Sequence, residues 1–131
     1  MANGIHHSAR IALGTIRLVN GALGLFLPRV LIGRIDPAGS PGAAATYAFR
    51  LFGVRTILLG RALLTGDPAA RDRALAEAPL IHAADTATAT LLALTGRVTR
   101  RSGGLLIAVS AVNTMLALVA RRGLRRTTVG A

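Results

Sequence analysis

Four apolar stretches of helical length, separated by short glycine-, proline- and arginine-rich connections, set the pattern of this chain. The first, ARIALGTIRLVNGALGLFLP, runs from about Ala9 to Pro28. A hydrocarbon core of roughly 30 Å needs about 20 helical residues, and this stretch supplies them while admitting Arg17 and Asn20. DPAGSPGAAA, Asp36 to Ala45, has the composition of a loop. The second stretch, from about residue 43 to Thr65, stops at TGDP, where Gly66 is placed to end it and Asp67 and Pro68 to cap and open the next helix. The third begins charged, passes Pro79, which predicts a kink, and is apolar enough for a membrane only from about residue 78 to Thr95. GRVTRRSGG reads as a loop. The fourth stretch carries no charge from Gly104 to Ala120, and the basic tail of residues 121–131 is expected to be disordered. Connections this short predict an up-down-up-down order, hence an all-α, four-helix transmembrane bundle forming one domain over residues 1–131.

Composition strengthens the membrane reading. Apolar residues make up 52% of 131 residues and aromatics only 3%, and the mean hydropathy is +0.54. A cleaved signal peptide is the competing reading of the first stretch, but Arg17 and Asn20 interrupt its apolar region. A soluble or peripheral helical protein is the competing reading of the whole, because the third stretch is weakly apolar. With no cysteine there is no disulfide or thiolate metal site. The net charge of +11 comes without stacking aromatics or a helix basic along one face, so nucleic acid is not an expected partner. With both termini in the cytoplasm of a multi-pass plasma-membrane protein, seven arginines fall on that side and five on the other, which favours this orientation.

Three arginines interrupt the second stretch, in RLFGVRTILLGR. Arg50 and Arg61 lie near its ends and can reach the headgroups. Arg55 lies about 15 Å from Thr65 at 1.5 Å per residue, near the middle of a bilayer, where an unpaired charge costs at least ~2.5–3.5 kcal/mol. Asp85 is the one acid in the apolar part of a helix and sits at a similar depth, so an Arg55–Asp85 pair is expected. His82 shares the face of Asp85 one turn away. Small residues add a second pattern. Gly14, Gly21 and Gly24 form a stripe with Arg17 on the first helix, and Gly53, Thr56 and Gly60 form one on the second. Ser110, Asn113, Thr114 and Ala117 do so on the last helix. These stripes predict close helix packing around a polar interior of Arg17, Asn20, Arg55, His82, Asp85 and Asn113.

From about Tyr47 to Leu118 the chain resembles a family of small four-span bacterial and fungal membrane proteins that carry a domain of unknown function. The resemblance rests on RLFGVRTILLG, with Arg50, Gly53, Arg55 and Gly60, and on HAADTATATLLAL, with Asp85 shortly after the helix proline. It implies a fold and a membrane location and no activity; His82 stands where apolar or acidic residues are expected, which argues against a role for it. Small multidrug exporters are similar in size but carry an acid in the first span, where this chain has Arg17.

Catalytic patterns are absent from the sequence: no Gly-x-Ser-x-Gly elbow, no phosphate-binding glycine loop. His82 and Asp85 have the spacing of two metal ligands without a third, and His6 and His7 are expected to be solvated. The expectation is a non-enzymatic membrane protein with no cofactor or metal. In the leading reading it acts through helix packing with a second copy or a membrane-protein partner. The alternative is a carrier or binding protein for a small anion or acidic lipid headgroup, using the Arg/His/Asp cluster. An outward-facing glycine stripe favours the first; a cavity at mid-depth favours the second.

Overall fold

The computed structural model describes residues 2–37, 39 and 42–128, with side chains described between residues 4 and 122. Part of the expected loop, residues 38, 40 and 41, and the last residues of the expected tail, 129–131, lie outside the described residues. All regular structure among the described residues is helical: α1 Ala2–Phe26, α2 Pro28–Ile35, α3 Ala43–Thr65, α4 Pro68–Leu94 and α5 Arg100–Thr128. Two segments are long and apolar enough to cross a membrane, Gly4–Phe26 and Arg100–Arg122.

The boundaries differ from expectation where local chemistry overrides hydropathy. Proline disfavours helical backbone in the residue before it, and Leu27 leaves the helix at φ −129°, ψ 52°. Pro28 then opens a separate short helix, α2, instead of ending the first stretch. At the other end α1 begins seven residues earlier than its apolar run. The His6 ring, expected to be solvated, instead donates from Nδ1 to the Val119 carbonyl at 2.7 Å, and Arg10 donates to the Leu63 carbonyl. Helix α5 starts at Arg100, not Gly104, because the Thr99 hydroxyl accepts the Ser102 amide at 3.1 Å as an N-cap. The basic tail continues that helix to Thr128. Arginine is a good helix former, and no proline interrupts the run.

The turn between α3 and α4 follows the sequence closely. Asp67 accepts the Ala70 amide at 2.8 Å, and Pro68 occupies the first turn. Gly66 caps α3 in extended backbone, φ −66°, and not in the left-handed form. Asp67→Ala is expected to lower stability by ~1 kcal/mol, read as a shift of the thermal midpoint. At the end of α4, Gly96 adopts φ +67°, with Gly96 and Arg97 amides donating to the Ala93 and Leu92 carbonyls at 3.3 and 3.0 Å, a Schellman ending.

The four long helices pack side by side with successive directions reversed. Helix α1 lies against α3 and α5, and α4 against α5; α3 and α4 form the thinnest of the four seams, and α1 and α4 are diagonal. The apolar core gathers at the end that holds the α3–α4 turn: Leu13 and Leu63 are fully buried among Ala9, Ala74, Leu75, Ala78, Ala117 and Ala120. Alanines bring the backbones together there. Toward α2 the helices part, and the space between them forms the site described next.

Candidate functional site

Arg17 sits two turns from Gly24 on the face of α1 that also carries Leu13, Gly14 and Gly21, all buried. That face points inward, so the guanidinium is carried into the interior and Arg17 is 2% exposed. It reaches across the diagonal to α4, where its Nη2 and Nε lie 2.9 and 3.3 Å from His82 Nε2. Arginine only donates, so His82 Nε2 is the acceptor and the ring proton belongs on Nδ1. Nδ1 faces Asp85 Oδ2 at 3.6 Å, longer than a hydrogen bond, which makes Asp85 an electrostatic neighbour of the ring.

Two polar atoms at this level remain unsatisfied among the described residues. Arg17 Nη1 and Asn113 Oδ1 are buried and have no hydrogen-bond partner. Native interiors satisfy nearly all such groups, and leaving one unpaired costs roughly 1–3 kcal/mol. Both residues line a cavity of about 510 Å³. Its walls come from all five helices, and Asn20, Arg55, His82 and Asp85 line it too. The six polar residues singled out in the sequence therefore meet around one space.

No family model matches the chain, and comparison with curated proteins and with solved structures finds no match. The site is read from its own residues.

The expected Arg55–Asp85 ion pair is not formed: both side chains line the cavity, yet no contact within the 4.0 Å salt-bridge distance joins them. Arg55 is exposed and turns to the cavity. Arg55→Gln is expected to leave the unfolding free energy within ~0.5 kcal/mol of the parent, measured by denaturant titration in micelles. The buried cation is Arg17, and its partner is His82, a member of the expected polar cluster against which only the family resemblance spoke. Its inward position was signalled by the glycine stripe around Arg17, while nothing in the spacing tied helices α1 and α4 together. Arg34 of α2 also lines the cavity and had no sequence signal. Three guanidinium groups, Arg17, Arg34 and Arg55, thus face one carboxylate, Asp85.

The glycine stripes meet each other. A Cβ on Gly21 would lie 2.9 Å from the Gly53 carbonyl oxygen, and one on Gly60 would lie 2.9 Å from that of Gly14; Gly24 meets Phe49 and Gly53. Thr56 is half-buried and turns to the cavity. On the opposite side the Thr86 and Thr114 hydroxyls approach at 3.5 Å between α4 and α5. Small residues here set the spacing of α1 and α3, and that spacing fixes where Arg17 projects.

Proposed function

We propose that this chain is a four-span integral membrane protein, both termini cytoplasmic, that binds or carries a small anion or an acidic headgroup in the cavity between its helices. The observation that carries this reading is the buried Arg17 guanidinium, one of whose nitrogens, Nη1, has no partner at a cavity of about 510 Å³. Intramembrane ionisable groups mark ligand and ion paths, and an anion supplies what Nη1 lacks. The surplus of cationic over anionic side chains around the space points the same way.

A bilayer setting is supported by the outer surface. Every long helix exposes large aliphatic side chains: Val19 on α1, Leu51 and Leu58 on α3, Leu80 and Leu91 on α4, Val112 and Met115 on α5. Such a surface on several sides is costly in water and suits lipid. The alternative, action through helix contact with a second copy or another membrane protein, calls for a small-residue stripe on the outside. Gly14, Gly21, Gly24, Gly53 and Gly60 are all buried between α1 and α3, which removes its main support.

Hexanoate is the probe for this reading, with the protein held in neutral-detergent micelles. A ligand that binds only the folded state stabilises it by ~2.7 kcal/mol at a hundredfold excess over Kd. The thermal midpoint is expected to rise and saturate with hexanoate in the parent protein, to stay flat in Arg17→Gln, and to ignore hexanol in both. An equal rise in parent and Arg17→Gln would overturn the assignment.

A further inference from the structure

The buried polar groups of the cavity lie at one end, while the exposed Arg55 and Arg34 line it farther along, Arg34 from α2. Arg17, His82 and Asn113 form its floor. Ten residues separate His82 from Leu92 on α4, so the lining extends about 15 Å along that helix at 1.5 Å per residue. Over this length apolar side chains predominate, Phe49 and Phe52 of α3, Ala89 and Leu92 of α4, and Leu106 and Val109 of α5, with Arg55, Thr88 and Ser110 between them and Arg34 at the α2 end. A small inorganic anion on Arg17 would leave these walls uncovered. An anion that carries hydrocarbon would cover them.

Resting on the anion-binding reading, we propose that the ligand is a single-chain anionic amphiphile. Its carboxylate or phosphate lies on Arg17 Nη1, and its one chain runs along the apolar walls toward α2. A half-turn of the Asn113 amide exchanges its oxygen for its NH2, so Asn113 donates to the same head. The volume accommodates at least one chain. About 510 Å³ equals roughly 17 molecules of liquid water at about 30 Å³ each. A methylene takes nearly the space of a water molecule, so a head and one chain of medium length fit the cavity, and the two-chain probe below tests whether a second chain enters as well. Arg34 and Arg55 on the lining favour the charged head over a neutral alcohol as the ligand approaches.

The test uses the full chain in amphipol, so that no micelle competes for the ligand, with free ligand measured by equilibrium dialysis. The probes are the straight-chain carboxylates from hexanoate to tetradecanoate, dodecanol, octanoyl lysophosphatidate and dioctanoyl phosphatidate. Burying a methylene is worth ~0.8 kcal/mol, which is about fourfold in affinity. Kd is expected to fall two- to fourfold per methylene and then level off once the chain fills the space, with one ligand per protein. Thr88→Trp, which adds bulk to the wall, is expected to make that levelling come at a shorter chain. Dodecanol is expected to bind at least tenfold more weakly than dodecanoate, and the second chain of dioctanoyl phosphatidate to bring no gain. Tighter binding of octanoyl lysophosphatidate than of octanoate would support a phosphate head, and the reverse a free carboxylate. Hexanoate binding with no dependence on chain length would overturn the amphiphile and leave the anion site standing. Dodecanol binding as tightly as dodecanoate would overturn the placement of the head on Arg17. Binding of no carboxylate at all would overturn both this proposal and the reading beneath it.

Discussion

Gly53→Val is expected to cost ~3 kcal/mol or more and to break the contact between α1 and α3. A Cβ at this position would lie 2.7 Å from the Gly21 carbonyl oxygen and 2.9 Å from the Gly24 carbonyl carbon, and it would press on the Leu25 amide nitrogen. All three are backbone atoms within one helix. No rotamer change relieves them, so α1 and α3 must separate, and Arg17 then moves away from His82. Gly104→Ala is the control. Nothing lies within 4 Å of its Cβ position, and the change is expected to stabilise α5 by ~0.5–1 kcal/mol. Unfolding in mixed micelles, followed by circular dichroism, reads both; a Gly53→Val protein as stable as the parent would contradict the α1–α3 packing.

The second large effect concerns the Arg17–His82 contact and has a size that depends on which partner is removed. His82→Leu takes away the side-chain acceptor of the buried guanidinium and leaves charged donors unpaired, at a cost of ~3 kcal/mol or more. Arg17→Met leaves only a neutral ring nitrogen unpaired, for which ~1–3 kcal/mol is the expected loss. The double variant removes the charge and its acceptor together. It is therefore expected to be more stable than His82→Leu alone, and the double-mutant cycle yields the coupling between the two residues. Additive losses would mean that the two side chains do not interact.

Much of the helical order was legible in the sequence, since hydropathy and the Asp67–Pro68 pair mark α3 and the start of α4. Of the boundaries that hydropathy missed, the start of α5 belongs to the local Thr99 cap, and the start of α1 goes with polar contacts between distant segments. His6 with Val119 and Arg10 with Leu63 extend α1 backwards, and no spacing rule announces bonds of that kind. The break at Leu27 was readable from Pro28 but lay hidden inside an apolar run.

The site shows the same division. Helical periodicity put Arg17 on the glycine face and His82 beside Asp85, and the six polar residues do share one cavity. Depth along neighbouring helices then suggested the wrong pair. Helices α3 and α4 are joined by a short turn, yet they diverge beyond it, and Arg55 reaches the cavity from an exposed position. Arg17 spans the diagonal instead, because its long side chain can cross where no backbones meet. Which helices are diagonal is a property of the packed molecule, set by the alanine core at one end and the glycine contact of α1 with α3.

Nuclear magnetic resonance of the arginine side-chain nitrogens, with hexanoate titrated into the labelled protein, tests the central claim most directly. A single saturable shift at the Arg17 guanidinium, accompanied by one at the Asn113 side-chain amide, is the predicted result. Shifts confined to the exposed arginines Arg73, Arg97 and Arg100, with Arg17 and Asn113 unmoved, would contradict the account.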